Sequence, residues 1–134
     1  MNAVFADTSF YVAAVSPWDQ SHQRALALLH EYTGGIVTTE QVLTEAGNWF
    51  ARTGDRDVFV DLLESILADP KTTVVWSERS LFEEGLHLYA DRRDKEWSLT
   101  DCVSFVVMGR DNLTEALTAD HHFEQAGFKA LLKG

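Results

Sequence analysis

Short apolar runs alternate with longer stretches of helical periodicity along this chain, an order that leaves few folds open other than an α/β sheet. Ala3 to Ala6, Ile36 to Thr39, Thr72 to Trp76, Glu115 to Thr118 and Phe128 to Leu132 read as five strands. Between them lie apolar stripes at helical spacing: Ala25, Leu26, Leu28 and Leu29 after a cap at Asp19; Val42, Leu43, Ala46, Trp49 and Phe50 in a helix from Glu40 to Arg52; Val58, Phe59, Leu62, Leu63, Ile66 and Leu67. Leu81, Phe82, Leu86 and Tyr89 mark the buried side of a helix from Glu78 to Asp91, and Cys102 to Met108 form an apolar one. Ser16-Pro17-Trp18, Gly34-Gly35, Gly54 and Asp69-Pro70 punctuate the pattern. Helices between successive strands leave no room for hairpins, so residues 1–134 are expected to form one α/β domain with a mainly parallel sheet.

The stretch Asn2 to Phe10 runs from strand straight into helix, which sets Asp7 at the carboxyl end of a strand, where open α/β sheets hold their ligands. The plainer alternative is that Asp7 only caps the helix it precedes. Three other acids bear on the choice. Asp120 follows the fourth strand, Asp101 opens the helix that feeds that strand, and Glu45 lies about 100° from the centre of its helix's apolar face, at the border. Ser98 and Asp101 have the spacing of a capping box, so Asp101 also has a structural use. With the first and fourth strands adjacent, all four acids share one crevice.

Carboxylates so crowded raise one another's pKa values, and a hard divalent cation is the usual relief. With oxygen donors and no Cys or His cluster at zinc spacing, the expected ion is Mg2+, with Mn2+ as a substitute. Such ions polarise phosphoryl oxygens and acidify water, the chemistry of phosphodiester hydrolysis.

The net charge of −10 excludes a general polyanion binder, so nucleic acid must meet a local basic patch. Arg92, Arg93 and Lys95 form one candidate and Arg52 with Arg56 another; the alternative is that they offset nearby acids and helix dipoles. A composition of 46% apolar and 24% charged residues is that of a soluble globular protein. The single cysteine, Cys102, forms no internal disulfide and suits a reducing cytosol. No export signal or membrane-length apolar run is read, so a cytoplasmic location and no membrane partner are expected. Four tryptophans are many for this length, and any left outside the core marks an association surface.

Asp7-Thr8-Ser9, Asp19-x-x-His22-x-x-Ala25, Thr38-Thr39 with Val42-Leu43-x-Glu45, Ser98-Leu99-Thr100-Asp101 and Leu117-Thr118-Ala119-Asp120 with Phe123 resemble, in order and spacing, the motifs of PIN-domain ribonucleases. The similarity is greatest to the VapC-like toxins of toxin–antitoxin pairs and spans Val4 to Phe128. The resemblance implies a three-layer α/β/α domain with strand order 3-2-1-4-5, a metal-dependent endoribonuclease, a homodimer, and inhibition by a cognate antitoxin. It makes Asp7, Glu45, Asp101 and Asp120 the family's four acids. Asp7 and Asp101 would be the principal Mg2+ ligands, and Glu45 and Asp120 would complete the site and orient water. Thr8, Ser9 and Thr118 match supporting hydroxyl positions. His121 and His122 stand where relatives often have a second acid; RNA phosphate, a softer metal and solvent are the alternatives for the second histidine, and solvent is the expectation. His22 is assigned to helix packing.

The RNA expected is structured (tRNA, rRNA or mRNA), cut at unstacked bases. Two other functions fit the same motifs: a PIN-like module that binds protein without chemistry, and an RNA-processing PIN nuclease without an antitoxin. An aspartyl phosphatase is disfavoured because Ser9 stands where its second Asp belongs, and a receiver domain because Ser77 follows Trp76 where its phosphoacceptor would sit.

Overall fold

The computed structural model describes residues 3–133, so Asn2 lies outside the described residues. Strand β1 (Val4–Ala6) is buried along its whole length, as a strand covered on both faces must be, and its side chains are apolar accordingly. It pairs in parallel with β2 (Ile36–Thr39) on one side and β4 (Glu115–Leu117) on the other. Strand β3 (Thr72–Val75) extends the β2 edge and β5 (Lys129–Ala130) the β4 edge, giving an all-parallel sheet ordered β3-β2-β1-β4-β5. Expectation and structure agree on this order. The winding reverses between β1 and β4, and that switch point is where a crevice opens at the carboxyl ends of the strands.

Among the described residues seven helices link the strands: α1 (Thr8–Val15), α2 (His22–Glu31), α3 (Glu40–Arg52), α4 (Arg56–Ala68), α5 (Arg79–Asp91), α6 (Leu99–Arg110) and α7 (His121–Gln125). The core centres on Phe5, Phe10, Val42, Leu81, Val103, Met108, Leu117 and Phe123, with Phe105 stacked edge-on against both Trp97 and Phe123. Helix α1 packs on α2 and α3, and α5 lies along α6. His22 holds the first of these pairs together, its Nδ1 2.6 Å from the Ala13 carbonyl oxygen.

Several boundaries differ from expectation for local reasons. Asp19 organises a turn, accepting from the Ser21 N–H at 2.8 Å, and α2 starts only at His22. The last strand is cut to two residues because Leu131 and Leu132 form a turn, though their N–H groups still donate to Ala116 O and Thr118 O. Helix α6 starts at Leu99 and runs to Arg110, which puts Asp101 in its first turn.

The buried side of α5 is the chief correction. Phe82, Leu86 and Tyr89 are exposed, and Leu81 with Gly85 faces α6 instead. A Cβ on Gly85 would come within 2.6 Å of Val103 Cγ2, so the missing side chain is what lets the two helices approach. The sequence pattern weighed the larger apolar residues; the contact face was marked by the glycine. Helix α4 is likewise less buried than its periodicity suggests, with Val58 and Leu67 exposed and Ile66 its one fully buried residue.

Candidate active site

Asp7 occupies the N-cap position of α1, yet its carboxylate makes no capping bond. The main chain explains where it is held: the Asp7 N–H donates to Leu117 O at 3.1 Å, continuing the β1–β4 ladder by one residue. The carboxylate then meets the hydroxyls beyond β4. Thr118 Oγ1 donates to Asp7 Oδ2 at 3.0 Å, and Ser9 Oγ lies 3.4 Å from the same oxygen. Thr118 has one hydroxyl hydrogen, committed to Asp7, so Ser9 is the donor where the two hydroxyls meet at 3.1 Å. The Ala119 N–H donates to Ser9 Oγ and the Asp120 N–H to Thr118 Oγ1, closing a network that binds the start of α1 to the loop after β4.

Thr8 faces the other way, donating to Val42 O of α3 at 3.4 Å. Thr39 caps α3 through the Val42 N–H, and Thr38 ties β2 to the Ala6 carbonyl. These bonds fix α3, and with it Glu45, relative to β1. Glu45 is half-buried and lines a cleft of about 370 Å3 together with Gln41, Thr44, Asn48 and Thr100.

Asp101 is placed by the capping box anticipated from its spacing: its N–H donates to Ser98 Oγ at 3.0 Å, and the Ser98 N–H donates to Asp101 Oδ2 at 3.2 Å. Asp120 caps α7, accepting from the His122 N–H at Oδ1. The expectation that the histidine two residues past Asp120 faces solvent is corrected. The His122 side chain is only 18% exposed, and its Nδ1 lies 3.1 Å from Asp101 Oδ2 and 3.3 Å from Asp120 Oδ1. The cap itself turns this ring inward toward α6, a consequence of tertiary docking that no local pattern announces. His121 does face solvent.

Burial and like charge act together on these groups. Desolvation pushes the Asp7 carboxyl up to about 7, opposed by the Thr8 amide and the Thr118 hydroxyl and reinforced by the charges of Asp101 and Glu45. Asp101 is also raised, first by burial, against the Ser98 N–H, with Asp120 adding repulsion and His122 relief. Asp7 therefore feels Asp101 and Glu45, and Asp101 feels Asp120, so the four acids form one electrostatic unit.

The side-chain acceptor bonds given above fall on one oxygen of each of the three aspartates at the site: Oδ2 of Asp7, Oδ2 of Asp101 and Oδ1 of Asp120. The opposite oxygens carry none of these bonds. This carboxylate donor set, in which burial holds Asp7 and Asp101 back from ionising, fits a hard divalent cation.

The basic candidates divide. Arg92, Arg93 and Lys95 line a groove of about 920 Å3 with Tyr89, Trp97, Ser98 and Leu99, leading to the first turn of α6. Arg92 forks onto Asp94 and stands 4.9 Å from the centroid of the Trp97 ring. Arg52 and Arg56 are exposed past the far end of α3, Arg52 about 10 Å along the helix from Glu45. The structure does not bring that pair to the acids.

No family model matches the chain. It is 28% identical over 128 residues to the 23S rRNA-specific endonuclease VapC20 of Mycobacterium tuberculosis, in strains CDC 1551 and H37Rv alike, covering 93% of this chain and 95% of that protein. Among solved structures it is similar to Mycobacterium tuberculosis VapC20, described as a sarcin-ricin loop cleaving toxin, with a TM-score of 0.86 and 26% identity over 93% of this chain and 95% of that one. VapBC2 from Rickettsia felis, solved bound to a DNA fragment from their promoter, shares the fold with a TM-score of 0.68 at 14% identity, over 96% of this chain and 97% of that one.

Proposed function

We propose that this chain, a PIN-domain protein of the VapC-like type, is a divalent-metal-dependent endoribonuclease that serves as the toxin of a toxin–antitoxin pair. The reading is supported by Asp7 at the carboxyl end of β1 against β4, by Asp101 and Asp120 both within 3.3 Å of His122 Nδ1, and by the charges of Asp101 and Glu45 acting on Asp7. The likeness to VapC20 over nearly the whole of both chains supports an RNA phosphodiester as substrate, in a structured RNA such as a ribosomal loop.

Asp7 and Asp101 would hold the cation, while the Thr118 hydroxyl and the Ser98 N–H fix one oxygen of each. A Mg2+ ion bound there supplies charge neutralisation at the phosphoryl oxygens and lowers the pKa of a water molecule. Thr118, held in turn by the Ser9 hydroxyl, favours the ionised form of Asp7 that binding needs, and Thr8 keeps α3 in register so that Glu45 faces the same crevice. Glu45 and Asp120 orient the attacking water, and Glu45, with one side open to the cleft, takes its proton. Arg93, with Arg92 and Lys95 beside it, receives the flanking phosphates.

The neighbouring VapBC fold supports an antitoxin as the protein partner. Exposed Trp76, Phe82, Leu86 and Tyr89 support a homodimer, read by light scattering at micromolar concentration. No helix among the described residues is long and apolar enough to cross a membrane. A toxin of this kind acts in the cytoplasm, where its RNA is.

The test is cleavage of purified ribosomal and transfer RNA with Mg2+ or Mn2+ by the intact chain and by Asp7→Asn and Asp101→Asn. Loss in both variants with the fold retained supports the reading; cleavage by both overturns it.

A further inference from the structure

His122 brings nitrogen into a crevice otherwise made of carboxylate oxygen. Its Nδ1 stands between two acids, 3.1 Å from Asp101 Oδ2 and 3.3 Å from Asp120 Oδ1, and His121 Nδ1 approaches the same Asp120 oxygen at 3.7 Å. The ligand atoms of Asp120, His121 and His122 all lie within 4.8 Å of one another. A hydrogen bond accounts for one of these approaches. The single Nδ1 hydrogen cannot serve both Asp101 and Asp120 well, and His121 brings a second ring nitrogen toward the same Asp120 oxygen.

A shared cation accounts for all three. Donors about 2.0–2.1 Å from a tetrahedral ion stand about 3.3–3.4 Å apart, close to the separations found here. Imidazole suits borderline ions and is a poor ligand for Mg2+, which seeks oxygen and water. Both shared acids have a second oxygen outside this group, so the site lies beside the proposed Mg2+ position and does not coincide with it.

We propose that Asp120, His121 and His122, with Asp101 beside His122, form a second cation site, of mixed oxygen and nitrogen donors, that takes a borderline transition ion such as Zn2+ or Co2+ in preference to Mg2+. The site does not require the chain to cut RNA.

The experiment is a titration of the full-length chain with Zn2+ or with Mg2+, followed by the ring 15N resonances of its five histidines and by calorimetry. The ring nitrogens of His121 and His122 should shift up to one equivalent of Zn2+, while His22, His30 and His87 stay in place and Mg2+ moves none of them. His122→Gln should weaken Zn2+ binding at least about tenfold. His121→Gln alters an exposed side chain that folding does not need, and it should weaken binding as well. Asp7→Asn should keep Zn2+ affinity near the wild-type value while losing RNA cleavage, so the two proposals fail separately. Shifts spread evenly over all five rings, or unchanged affinity in both histidine variants, would overturn the inference.

Discussion

Thr118 Oγ1 donates to Asp7 Oδ2 across 3.0 Å, and this one hydroxyl joins residues 111 positions apart in the chain. Thr118→Val keeps the shape and removes the donor from a carboxyl already reluctant to ionise. Cleavage near neutral pH should fall about tenfold, as for loss of 1–1.5 kcal/mol of stabilisation, and recover as pH rises. The check is a pH–rate profile, whose acid limb should move to higher pH than in the wild type.

Asp7 also makes stability depend on pH. Its folded pKa, about 7, lies above the ordinary 3.8, so the folded state holds the proton more tightly. The stability this lends is complete below about 3.8 and is lost as pH rises through about 7. Asn at this position does not titrate. Asp7→Asn should therefore melt higher than the wild type at pH 8, by a margin on the order of 1–3 kcal/mol larger than at pH 5, measured by thermal denaturation with EDTA present.

Mg2+ binding draws on the ionised form of the same group. Adding Mg2+ should raise the wild-type melting temperature more at pH 8 than at pH 5.5, and chelation should reverse it. Asp7→Asn should respond little at either pH.

The contact between α5 and α6 is tested at Gly85. Gly85→Ala puts a methyl group against Val103 Cγ2 and should cost about 1–3 kcal/mol in urea denaturation. Val103→Ala in the same chain should recover part of that loss, because it removes the atom that is struck. Recovery in the double variant would show that overpacking, and not helix propensity, sets the cost.

Much of this architecture was legible because local chemistry and tertiary position agree. The run Val4–Ala6 is apolar on both faces and lies at the centre of the sheet, so Asp7 had to emerge at its carboxyl end. The spacing of Ser98 and Asp101 announced a capping box, and the bonds are present. Two features depended on how elements dock. The buried face of α5 is set by a residue with no side chain, which any count of apolar positions overlooks. His122 turns inward because α7 abuts α6, and the five residues of α7 are too few to carry a periodic signal.

The span between Asp7 and Thr118 has a consequence for synthesis. Asp7 leaves the ribosome ahead of the hydroxyl that holds it, and that hydroxyl, with Asp120 beside it, follows more than a hundred residues later. On the proposed activity, a growing chain is harmless to the RNA of the machine translating it until the segment through Asp120 has emerged.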